Sequence, residues 1–179
     1  MSTAVQDGGS LGYSRPSSIP PSTQEHTVAS ALRLNTLLNR QFQPDDRLLD
    51  TLRNELKLLD GLCRTLGVSE LSSFVDTTAL ELQAAVAMLD DEAKKAVPEP
   101  DPQTGQIWGI EDVSWQPVAT GMSTLEALQH HLRKSPHSGL NSNKVRDLLQ
   151  ELDYCIATLA PLEAEGAQFH LAVEESGQR

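Results

Sequence analysis

Over residues 26–96 and again over 123–165, apolar positions recur every three or four residues, the spacing that aligns side chains along one face of a helix. Val28, Ala31, Leu32, Leu38 and Phe42 predict a first helix over about 26–42, closed ahead of Pro44. Asp45 and Asp46 then read as an N-cap and first-turn acid. Leu48, Leu52, Leu56, Leu59, Cys63 and Leu66 follow at near-heptad steps, with Gly67 as a C-cap. Ser69 restarts the pattern. Leu71, Val75, Thr78, Leu82, Ala85 and Leu89 predict a third helix over about 69–96, ending before Pro98 and folding back on the second as an antiparallel hairpin.

The regime breaks at 97–122, where Pro98, Pro100, Pro102 and Gly105 forbid a helix. Ile107 to Trp115 reads as a small β-hairpin or as an extended loop laid over a bundle. Its turn residues, Glu111 and Asp112, are not the Asn-Gly or Asp-Gly that tight hairpins favour. Ser123-Thr124-Leu125-Glu126 fits a capping box opening a helix over about 124–134. Val145, Leu149, Leu152, Ile156 and Leu159 mark a last helix over 142–165, stopped at Gly166. Phe169, Leu171 and Val173 alternate with polar residues, which suits a short strand against the central segment. The expected fold class is therefore mainly α: a bundle of about five helices over residues 26–175, with one short extended or β-hairpin segment near 106–117.

Composition adds three constraints. Aromatic residues are only 4% of the chain against 39% hydrophobic overall, so the core is built from Leu, Val and Ala. Residues 1–25 are rich in Ser, Pro and Gly with no apolar period, and are expected to be a disordered tail. No apolar run approaches the roughly 20 residues that span a bilayer, and the first residues lack a secretory signal, so the expected location is the cytoplasm. Cys63 and Cys155 sit on apolar stripes and read as buried thiols in a reducing compartment.

The net charge of −11 is uneven. Residues 70–117 hold ten acids against Lys94 and Lys95, whereas 118–150 are locally basic. Such a surface argues against nucleic acid and anionic membranes as partners.

Candidate chemistry is sparse. His130, His131 and His137 cluster near the end of the fourth helix. Adjacent histidines point about 100° apart, so a cationic last turn that complements the helix dipole explains them better than a metal site. No nucleophile elbow, phosphate loop or calcium loop occurs. The expectation is accordingly no catalytic residue, no metal and no cofactor.

Trp108 and Trp115 are the only indoles, eight positions apart counting both, in the one segment that breaks the helical pattern. They read either as a binding hot spot or, the preferred reading, as a plug closing one end of the bundle. With Ile110 and the basic His131, Arg133 and Lys134 they make up the candidate protein-binding residues. The functional expectation is a non-catalytic protein–protein interaction module, adaptor-like, chaperone-like or inhibitory, whose partner is another protein and on the charge argument a basic one. Its rivals are a homodimeric structural component joined through the heptad-like seams, and a secreted effector with residues 1–25 as its export leader.

Overall fold

β1 (Ser30–Leu38) and β2 (Gln41–Leu49) form an antiparallel hairpin where the sequence pattern predicts a helix. The two-residue loop between them, Asn39-Arg40, has φ of 51° and 60°. Positive φ at both loop positions matches the right-handed twist of paired strands. β1 is a central strand covered on both faces. Leu32 and Leu34 point to the helices, while Ala31, Arg33, Asn35 and Leu37 point the other way. A strand buried on both sides loses the polar–apolar alternation that marks a half-exposed one, and the adjacent Ala31-Leu32 and Leu37-Leu38 then mimic a helical face. In β2 the register jumps opposite Leu34, so that Asp45 and Asp46 sit in a bulge and not at a helix start.

The computed structural model describes residues 30–94, 96–135 and 139–175. The expected tail (1–25) and His137 lie outside them. Chain order continues with α1 (Asp50–Asn54), α2 (Leu56–Leu66), a 3₁₀ turn (Leu71–Phe74), β3 (Val75–Asp76), α3 (Thr78–Ala87) and α4 (Asp91–Lys94). After a second 3₁₀ turn (Ile110–Asp112) come β4 (Gln116–Pro117), α5 (Val118–Lys134), α6 (Ser142–Glu163) and β5 (Gln168–Glu175). The strands make one sheet in the order β2-β1-β5-β3, with β4 beside the start of β5. All pairings are antiparallel except β3 with β5.

The architecture is α+β, and the mainly-α bundle is overturned. Helices α1, α2, α5 and α6 pack on one face of the sheet, joining Leu52, Leu59, Leu128, Leu148, Leu152 and Leu159 to Leu32, Leu34, Phe169 and Leu171. The near-heptad seams of α2 and α6 therefore face the chain's own core. The long third helix is instead a 3₁₀ turn, a strand and two short helices. Val75 and Asp76 are diverted into pairing with Leu171 and Ala172. In place of the 106–117 hairpin stand a loop, one 3₁₀ turn and the two-residue β4, and the expected strand at Phe169 pairs with β1 on one side and with β4 on the other.

Local signals at helix ends fared better. Gly67 (φ 71°) and Gly166 (φ 69°) end α2 and α6 in the left-handed conformation, each followed by a 6→1 hydrogen bond, Val68 N–H to Cys63 and Ala167 N–H to Leu162. Ser123 is no cap: α5 starts at Val118, and the Ser123 hydroxyl donates to the Ala119 carbonyl inside the helix. Gly121 brings α5 onto β5, since a Cβ there would lie 2.3 Å from Cζ of Phe169. At the opposite end of the helical layer Glu151 of α6, nearly buried, accepts from the backbone N–H groups of Thr51 and Leu52. A carboxylate from a distant helix thus caps α1, whose own first residues supply no side-chain cap.

Candidate binding surfaces

The outer face of the sheet is covered by the 97–115 part of the segment 97–122 that the sequence marked as the break in the pattern; from Val118 that segment is instead the start of α5. The covering part is held by its own polar groups. The Asp101 carboxylate accepts from Gln103 and Thr104 N–H, the Thr104 hydroxyl donates to the Trp108 carbonyl, and Asp112 accepts from Gly109 N–H. It is fastened to the sheet and to α3 by Arg40–Glu111 and by Asp76, which accepts from Ser114 N–H and Thr78 N–H.

Beneath it lies an aromatic cluster. Trp108 meets Phe42 edge-on with centroids 5.2 Å apart, and Trp115 lies over His170 at 4.4 Å and 31°. The Trp115 indole N–H donates to the Ile110 carbonyl. Trp108 is 4% exposed and Ile110 is also buried. The two indoles thus roof the sheet; they do not plug a bundle end, because no bundle exists.

His170 could not be recognised from sequence, where it is one polar position in an alternating strand. It is 1% exposed and pairs across the strands with Asn35, whose Nδ2 donates to Nε2 at 2.8 Å. Burial away from water pushes its pKa down to about 4, against a smaller opposing pull from Asp76. The imidazole is therefore neutral at pH 7, and with Nε2 accepting, its proton is on Nδ1.

The basic candidates sit elsewhere and are largely neutralised within the chain. Arg133 forks onto Asp153, which also accepts from Gln129. Lys144 pairs with Glu55 and Arg146 with Asp147. His131 is half-buried in the last turn of α5, and Lys134 is exposed. The structure does not bring these residues together with the Trp segment into one patch.

A surface that the sequence reading passed over is α3. Seven of its ten residues are apolar, yet none is buried. Leu82, Val86 and Leu89 form one i, i+4, i+7 row beside Ala84, Ala85 and Met88, and Met88 is 87% exposed. The surroundings are acidic, with Glu81, Asp90 and Asp91 exposed around the row. The missed signal was compositional: the helix reads apolar on every side, and such a helix is normally buried.

Burial pushes the Cys63 thiol up to about 11 and the Cys155 thiol up to about 12, so both stay protonated. Among the described residues no group of three His, Cys, Asp or Glu could hold a metal ion. No helix of the described residues is long and apolar enough to cross a membrane. Fold and surface together define an acidic two-layer α+β protein with a roofed sheet and an apolar helix left on its outside. No family model, curated protein or solved structure matches the chain.

Proposed function

We propose that this protein is a non-catalytic binding module that docks a basic amphipathic segment of another protein against α3. The observation that carries this reading is the apolar row of α3, in which Leu82 and Val86 are half-buried, and its exposed continuation past the helix end at Met88 and Leu89. Leaving apolar area in water costs about 25 cal/mol per Å², and contiguous exposed area of this kind marks interaction sites. The exposed carboxylates around the row favour a partner whose apolar residues are flanked by Lys or Arg, since complementary charge steers encounter and sets orientation. The buried, protonated thiols fit a reducing compartment, and we place the protein in the cytoplasm.

Photo-crosslinking tests this. A benzoylphenylalanine placed at Met88 of the full chain should capture one partner, at a peptide with apolar residues bordered by Lys or Arg. Val86→Asp should abolish the product. Crosslinks to a second copy of this chain or to its own first 29 residues would overturn the reading, as would a product that Val86→Asp leaves intact.

A further inference from the structure

Every buried side-chain nitrogen or oxygen without a hydrogen-bond partner among the described residues lies in one place, between the outer sheet face and its roof. These atoms are Arg33 Nε, Asn35 Oδ1, Trp108 Nε1 and His170 Nδ1. Orphaned buried polar atoms are rare and costly, about 1–3 kcal/mol each, so four in one layer call for a common cause. A cavity of about 120 Å³ adjoins three of them, lined by Arg33, Asn35 and Trp108 together with Gln83, Gln106 and Glu174, while His170 is not among its walls. Asn35 and Trp108 are 3% and 4% exposed, whereas the Arg33 and Glu174 side chains are about a third exposed.

The unmet groups have a chemical sense. Trp108 Nε1–H and His170 Nδ1–H are donors with no acceptor, and Arg33 Nε–H makes no hydrogen bond. Arg33 stands 3.4 Å from Glu174 without hydrogen-bonding it through Nε. Asn35 Oδ1 is an acceptor facing no donor, with the Glu174 carboxylate also on the wall. A molecule that meets the charged Arg33 and Glu174 as well as Trp108 Nε1–H and Asn35 Oδ1 carries an anionic acceptor at one end and a cationic donor at the other. The volume equals about four water molecules at ~30 Å³ each, which is the size class of the smallest amino acids. We infer that this cavity is a binding site for a small α-amino acid, its carboxylate taken by Arg33 and Trp108 and its ammonium by Asn35 Oδ1 and Glu174. The site is distinct from the apolar row on α3 and does not depend on the docking reading.

The four orphan atoms are sealed from solvent, so the Trp108 ring must shift for a ligand to reach them. That movement supplies a readout independent of ligand-detected signals. Glycine, alanine and serine are titrated against the full chain by saturation-transfer NMR, with tryptophan fluorescence in parallel. Acetate and methylamine, each carrying one of the two charged ends, serve as comparisons. Saturable binding is expected for at least one amino acid below about 10 mM, with a fluorescence change, and with acetate and methylamine about tenfold weaker or more. Arg33→Met should weaken binding about tenfold or more, and Glu174→Gln by a comparable factor, because each leaves one ligand charge unpaired. Gln129→Ala, remote on α5, should change nothing. Failure of all three amino acids to saturate the folded wild-type chain overturns the inference, as does equal binding of acetate or methylamine. Amino-acid binding that both Arg33→Met and Glu174→Gln leave unaltered overturns it as well.

Discussion

Two side chains carry more weight than their types suggest. Glu151 is an acid in the buried stripe of α6, and its carboxylate receives the first N–H groups of α1. Glu151→Ala strands those donors in a nearly buried setting and is expected to cost about 1–3 kcal/mol, read as a lower urea midpoint with an unchanged slope. His170 gives stability a pH dependence whose sign follows from burial. Its pKa falls from 6.5 unfolded to about 4 folded, so between these values the unfolded chain binds the extra proton. The neutral imidazole's contribution is complete above pH 6.5 and is lost as pH falls towards 4, up to about 3 kcal/mol. Because carboxylates titrate in the same range, the measurement is the difference between wild type and His170→Gln across pH 4–7. That difference should shrink steadily on acidification; a constant difference would refute the assignment.

At the scale of elements, the contact of α5 with β5 is set by the absence of a side chain. Gly121→Ala improves helix propensity by about 1 kcal/mol yet drives a methyl to 2.3 Å from the Phe169 ring. Overpacking of this kind costs about 1–3 kcal/mol, so a net loss of stability is expected in thermal melts. Phe169→Leu, which removes the struck ring atoms, should make the two changes less costly together than their sum predicts. The roof over the sheet is an element of the same kind. Trp108→Ala empties the space against Phe42, and a loss of about 3–5 kcal/mol is expected. Trp108 thus acts first on folding, and its loss of partner binding would not identify a hot spot. By contrast Met88→Asp, on α3, should shift stability by no more than about 0.5 kcal/mol.

Across the whole molecule, charge and exposed apolar area coincide. The acidic stretch 70–117 includes α3, whereas Arg133 of α5 and Lys144 and Arg146 of α6 are engaged by Asp153, Glu55 and Asp147. Association with the partner captured at Met88 is therefore expected to weaken as salt rises from about 50 mM to 500 mM, with most of the change in the association rate. A surface-resonance titration that found no ionic-strength dependence would contradict the charge argument while leaving the apolar contact intact. The chain by itself determined the features whose physics is local: the glycine-ended helices α2 and α6, the Pro-rich break from residue 97 though not its end at 122, the buried thiols and the acidic middle. Each depends on a few neighbouring residues, such as Gly67 reaching a left-handed φ or three prolines excluding a helix. Tertiary structure alone decided that residues 30–49 pair as strands, that Val75 and Asp76 join β5, and that the Trp segment covers a sheet. Pairing joins residues more than a hundred positions apart, as in Asn35 with His170. A strand buried on both faces carries no period of two to announce it, and the cost of separating such partners appears only once the chain has closed.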